Sequence, residues 1–274
     1  MTHPTEIIPG VLFFSYLCDL RKEKIAFLEN NILVLQVSGR FTIETAGQKL
    51  SMNRGEMMLI QKNQLAEITK TPLDNEQYQT IIINLKDDLL RKIALEEQIA
   101  TGLKYTGLPN VLIPKDDFLH AFFQSVIPYV RRPEENISKE LGMLKVKEAV
   151  YLLLRTMPEL RDFLFDFSEP HKIDLEKFML RNFHFNVPVE KFAQLTGRSL
   201  AGFKRDFQKI FGMAPRHWLQ EKRLTEARHL LEKKNRKPSS IYLELGFESL
   251  SHFSHSFKKK FGKAPSEWSN AILV

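Results

Sequence analysis

Two hydrophobic patterns divide the chain. From Val11 to Asn84 apolar residues come in short runs: Val11–Tyr16, Ile32–Ser38, Phe41–Thr45, Glu56–Ile60, Leu65–Thr69 and Gln79–Asn84. Each is rich in Val, Ile, Leu, Phe or Thr, the composition of strands. Ser38-Gly39, Ala46-Gly47, Asn53-Arg54-Gly55 and Thr71-Pro72 separate them with turn-forming residues. Within Leu33–Val37 and Phe41–Ile43 the apolar positions alternate, as a half-buried sheet requires. Many short strands joined by tight turns predict a sandwich or small barrel. Beyond Lys86 the spacing changes to three and four residues. Lys86–Ala100 reads as an amphipathic helix, Asp116–Val130 as one with a Phe-rich face, and Ile137–Met157 as the most regular. Met143, Val146, Val150, Leu153 and Met157 form a two-heptad seam, suited to packing within one chain or to a homodimer contact. Arg131–Glu135 reads as a solvated loop. Asp166–Lys172 reads as a linker, giving domains 1–166 and 167–274.

The second domain contains a duplication. Leu195, Ser199, Leu200, Phe203, Phe207, Lys209, Phe211, Gly212, Ala214, Pro215 and Trp218 return 50 residues later without a gap, from Leu245 to Trp268. In the first copy Leu200, Phe203, Phe207, Ile210 and Phe211 mark one apolar helix face. Ser199 stands where a hydroxyl caps the helix start, and Gly212 where a left-handed residue ends it. Pro215 opens the next helix. Ser249, Gly262 and Pro265 repeat these signals. A shorter helical segment precedes each copy, Val189–Leu195 and Ser240–Leu245, and each is followed by a glycine-containing turn. Short helix, tight turn and longer helix make a helix-turn-helix unit. The outward positions Ala201, Lys204, Arg205 and Gln208, and Ser251, His252 and His255, are candidates for contact with base edges. Arg198, Lys209, Arg216, Lys258, Lys259 and Lys260 are candidates for phosphate contact.

The paired motifs, joined by a helix from about Pro215 to Lys234, resemble the DNA-binding domain of the AraC/XylS transcription regulators. Leu245–Pro265 is close to that family's signature, and the resemblance runs from Leu175 to Trp268. It departs from the family at His255, where Arg is common, and at Trp268, where Tyr or Phe is common. The first bears on base preference and the second on packing. Asp174 is placed to cap the helix Leu175–Asn182. In the joining helix Leu224, Ala227, Leu230 and Leu231 face inward, with Arg216, Lys222, Arg223 and Arg228 outward. Its length sets the recognition helices to enter successive major grooves, about 34 Å apart. The resemblance implies a sequence-specific regulator, in the family's usual mode an activator, with double-stranded DNA and RNA polymerase as partners. It also makes a cupin-like barrel the leading reading of the front domain, which Leu33–Ile60 resembles more weakly. The fold reading is therefore α+β: a cupin-like β-barrel with packing or dimerisation helices, then an all-α domain with two helix-turn-helix motifs.

Charge supports this division. The net charge is +7, but residues 170–274 hold 20 Lys+Arg against 10 Asp+Glu, while the first 169 hold 20 against 23. A basic back half suits a polyanion. The lone Cys18 leaves no disulfide and no cysteine zinc site, which argues against an alkylation-repair sensor and fits a reducing cytoplasm. No His lies between His3 and His120, so the barrel strands offer no imidazole metal site; a metal-dependent cupin enzyme is disfavoured, and no catalytic residue or cofactor is expected. The apolar run Ile7–Leu17 is interrupted by Pro9-Gly10 and preceded by Glu6, unlike an export signal, and no run is long enough to span a bilayer. Leu35, Phe41 and Ile43 are candidates to line an effector pocket inside the barrel. Whether the front domain answers to a small molecule or to a regulatory protein stays open, because inward apolar residues also simply fill a barrel.

Overall fold

The computed structural model describes residues 4–25, 28–45, 47–73, 76–101, 104–131, 138–168, 170–234 and 236–270. The chain separates into two compact units, 1–168 and 169–274.

In the front unit the strands are β1 (Thr5–Ile8), β2 (Leu12–Leu17), β3 (Arg21–Ile25), β4 (Asn31–Ser38), β5 (Arg40–Glu44), β6 (Lys49–Met52), β7 (Met57–Ile60), β8 (Ala66–Thr71), β9 (Tyr78–Leu85) and β10 (Asn110–Ile113). They form two antiparallel sheets, ordered β1-β2-β9-β4-β7-β10 and β3-β8-β5-β6. The helices are α1 (Asp87–Glu96), α2 (Asp117–Arg131), α3 (Lys139–Thr156) and α4 (Leu160–Leu164). The six strands read from the sequence are the six interior ones. The four not read, β1, β3, β6 and β10, are the four sheet edges. Edge strands are short or charged because a long apolar edge would invite pairing with other chains, and so they lack a strong strand signature.

One apolar cluster lies between the sheets and holds Val34, Phe41, Ile43, Met52, Met58, Ile60, Ala66, Ile68 and Tyr78. The other lies between the six-stranded sheet and the helices, and includes Leu33, Leu35, Leu59, Ile81, Ile83, Phe122, Val146, Val150 and Leu153. β4 and β7 are thus covered on both faces, which explains their nearly unbroken apolar sequences. Side-chain amides tie the β5–β6 hairpin to edge strand β10: Gln48 Nε2 donates to the Asn110 carbonyl at 2.8 Å and Asn110 Nδ2 to Gln48 Oε1 at 3.0 Å.

The heptad seam is resolved by this packing. Val146, Val150 and Leu153 are fully buried inside their own unit, so these three seam positions pack within the monomer. Gly142 brings α3 close to β1: a Cβ there would lie 2.7 Å from Ile8 Cγ2. Ala46, Arg132–Glu135 and Ile137 lie outside the described residues. Among the described residues no helix is long and apolar enough to cross a membrane, and no three His, Cys, Asp or Glu side chains gather as metal ligands.

The expected linker is anchored at its start. Phe165 is buried, Asp166 accepts from Tyr105 N at 3.0 Å, and the Phe167 ring lies under Arg91 Cζ at 4.0 Å and Lys62 Nζ at 5.7 Å. These contacts hold 165–168 on the front unit. In the back unit, Ile173 N donates to Thr196 O at 3.4 Å.

The back unit is helical: α5 (Leu175–Asn182), α6 (Val189–Leu195), α7 (Leu200–Phe211), α8 (Pro215–Lys234), α9 (Pro238–Ile241), α10 (Leu250–Phe261) and α11 (Pro265–Asn270). The second short helix begins two residues earlier than expected, at Pro238, whose fixed φ suits a first helical turn. It ends at Ile241, and turns follow to Gly246.

Candidate nucleic-acid interface

Local chemistry sets the start and end of both long helices. Ser199 Oγ accepts from Gly202 N at 3.2 Å at the head of α7, and Gly212 ends it at φ +70°. Ser249 Oγ accepts from His252 N at 3.1 Å at the head of α10, and Gly262 ends it at φ +80°. Replacing either serine by alanine is expected to remove about 1 kcal/mol of stability. Both tryptophans lie in this unit, so urea unfolding of the full chain followed by tryptophan emission reads that loss.

The duplicated aromatic residues build the same core twice. Phe207 meets Trp218 edge-on at 5.6 Å and 79°, and Phe257 meets Trp268 at 5.9 Å and 81°. The fully buried rings of Phe203, Phe207, Phe253 and Phe257 turn the opposite face of each helix outward. Ile210, expected in the core, is 44% exposed.

On the outer face of α7, Ala201, Lys204, Arg205, Gln208 and Lys209 are exposed. On α10, Ser251, His252, His255, Lys258 and Lys259 are exposed, and Arg216 is exposed at the start of α8. His252 also packs edge-on against Phe247, at 5.9 Å and 60°. Two phosphate candidates are engaged elsewhere. Arg198 keeps only 9% of its side chain exposed; it donates to Ile173 O at 2.9 Å, Thr196 O at 2.7 Å and Asp206 Oδ2 at 3.1 Å. Lys260 binds Glu221 Oε2 at 2.6 Å, Glu221 O at 3.1 Å and Thr225 Oγ1 at 3.1 Å. Both tie helices and turns together, which periodicity alone does not reveal. Asp206, held by Arg198 and then Lys172, has its carboxyl below the usual carboxylate range. That ion pair therefore persists at neutral pH and is lost only as acid protonates Asp206.

The effector-pocket candidates are not brought together. Phe41 and Ile43 face the space between the sheets, whereas Leu35 faces the helices on the other side of β4.

Arg223 was expected outward and points inward. Its Nε donates to Phe183 O at 2.8 Å, Nη2 to Phe185 O at 2.8 Å and Nη1 to Gly246 O at 3.0 Å. Burial lowers its pKa to about 10, which leaves it charged at neutral pH. A signal for this was present. Leu219, Arg223, Ala227 and Leu231 form a row of four-residue steps, and the other three are buried.

The helix-turn-helix geometry fits the relatives. Residues 192–271 match the model of a helix-turn-helix domain, and residues 31–163 match that of an ExsA N-terminal regulatory domain. The chain is 24% identical over 229 residues to the thermoregulatory protein LcrF of Yersinia pestis, covering 78% of this chain and 80% of that protein. It is 24% identical over 236 residues to the HTH-type transcriptional regulator ExsA of Pseudomonas aeruginosa, covering 85% and 81%. Both halves of the chain are thus similar to AraC/XylS-type transcription regulators. Among solved structures, an apo ToxT variant from Vibrio cholerae aligns over 97% of this chain and 99% of its own, with 13% identity and a TM-score of 0.47. The sequence matches, in both halves, are to DNA-binding transcription regulators.

Proposed function

We propose that one monomer of this regulator reads two adjacent major-groove segments, with α7 in one groove and α10 in the next, and activates transcription by contact with RNA polymerase. The observation that carries this reading is the repetition of one structural unit with the same cap, the same left-handed stop and the same ring geometry. The two units differ mainly on their exposed faces, so they would read different bases. Lys204 and Arg205 are the leading base readers of α7, because Lys or Arg to guanine is the commonest specific contact. Arg205 is 81% exposed, with only a loose 3.8 Å approach to Asp206. Ser251, His252 and His255 take the corresponding role on α10.

Arg205→Ala is expected to weaken binding to a selected duplex by about 1–3 kcal/mol and to relax preference at one base. Fluorescence anisotropy on selected and random duplexes tests this. An equal loss on both would assign Arg205 to the backbone. Transcription in vitro from a promoter carrying the selected site tests activation, which an unchanged transcript yield would contradict.

Control enters through the front unit. The expected pocket between the sheets is filled: Phe41 is 3% exposed and Ile43, Met52, Met58 and Tyr78 are fully buried. This favours a regulatory protein acting on the outer surface over a small molecule held between the sheets. Calorimetry of the full chain against a metabolite library distinguishes the two, since a ligand selective for the folded state raises the melting temperature. A hit that stabilises the front unit would restore the small-molecule reading.

A further inference from the structure

We propose that Arg223 is the positioning residue that fixes the separation of the two recognition helices, and with it the distance between the two base segments the regulator accepts; this role rests on the two-groove reading. The guanidinium is a planar fork with donors in fixed directions. Here the fork leaves α8 and reaches three main-chain carbonyls, those of Phe183 and Phe185 beyond α5 and that of Gly246 before α10. Because all three acceptors are backbone, the fork fixes where the chain itself runs. The first two belong to the first helix-turn-helix half and the third to the second half.

The two halves also touch directly at this point. Gly246 adopts φ +80°, and a Cβ there would lie 2.5 Å from His184 O and 3.1 Å from Arg223 Cζ. Asn186 Nδ2 donates to Glu248 Oε1 at 3.2 Å. The residue 183–186 segment and the residue 246–248 segment thus form one seam, with Arg223 inserted into it. Asn186 lies three residues before α6, and Gly246 three residues before Ser249, the cap of α10. A shift at the seam therefore carries the second recognition helix with it. By contrast, the tethers of Lys260 and Arg198 act within one half or between one half and α8.

A duplex step advances about 3.4 Å per base pair, so a ruler of this kind rejects sites displaced by one step. The experiment selects DNA from a pool of random-core duplexes with the full-length chain, then with Arg223→Lys and Gly246→Ala. The wild-type pool is expected to hold two conserved segments at one separation. Changing that separation by one base pair should weaken wild-type binding about tenfold, the effect of a lost base contact. The variants should keep the same two segments but accept several separations, and bind a duplex carrying one segment as well as the wild type does. Tryptophan emission confirms that each variant is folded. Variants that melt earlier yet keep the single separation would reduce Arg223 to a stabilising residue and overturn the proposal. If neither variant folds, the wild-type measurement still decides, since tolerance of a one-step change would overturn it too. A single conserved segment in the wild-type pool would instead overturn the two-groove reading.

Discussion

Raising monovalent salt from about 50 to about 200 mM is expected to weaken duplex binding about 10²-fold. Lys209 and Arg216 in the first half, with Lys258 and Lys259 in the second, are exposed side chains placed to meet phosphate. Each phosphate neutralised releases condensed counterions, so each contributes about −0.9 to the slope of log affinity against log salt. Four such contacts give a slope of about −3.6. Arg198 and Lys260 are left out because their charges are held by Asp206 and Glu221. Counting them as the bare sequence suggests would steepen the slope to about −5.4. Anisotropy titrations at several salt concentrations separate the two values. Lys259→Gln should flatten the slope by about 1. Lys260→Gln should leave it nearly unchanged and lower stability instead. A slope of about −5.4, flattened equally by both substitutions, would show that DNA pulls Lys260 out of its ion pair.

Truncating either repeated core ring is expected to remove about 3–5 kcal/mol of stability. Phe207 and Phe257 are fully buried, and each contacts its own tryptophan and two further phenylalanines. Because domains are stable by only about 5–15 kcal/mol, Phe257→Ala should leave the back unit close to unfolding and abolish DNA binding under physiological conditions. Urea titration of the full chain, read by tryptophan emission, measures the loss. A change below about 1 kcal/mol would mean that the ring cluster contributes little beyond surface burial. The titration also reports coupling between the halves. With 183–186 seated against 246–248, Phe257→Ala should expose Trp218 together with Trp268 in a single transition. Two separate transitions would show the halves to be independent.

Much of the back unit was legible because its signals are local. Ser199 and Ser249 cap, Gly212 and Gly262 stop, and the Phe rows face inward whatever lies beyond them. The exposed set on α7 and α10 followed from the same helical geometry. In the front unit the six interior strands were readable because burial makes them apolar, and the edges were not because exposure makes them short or charged. The candidate site was less complete. Lys260 and Arg198 looked equivalent to Lys259 and Lys209 along the chain, and only Glu221 and Asp206, brought in by packing, separate them.

By itself the sequence determined the duplicated helix-turn-helix unit, its caps and turns, the charge division between the two units, and the family resemblance that follows from them. These depend on residues a few positions apart, whose interactions any helix or turn imposes. Tertiary structure alone decided that Leu35 faces the helices while Phe41 and Ile43 face the opposite sheet, and that the Val146–Val150–Leu153 seam closes within the monomer. It also decided which acceptors meet Arg223, whose inward direction the row of Leu219, Ala227 and Leu231 signalled. Each of those outcomes depends on a partner distant along the chain, and for Arg223 the partners are main-chain carbonyls, which every residue has and no side-chain pattern records.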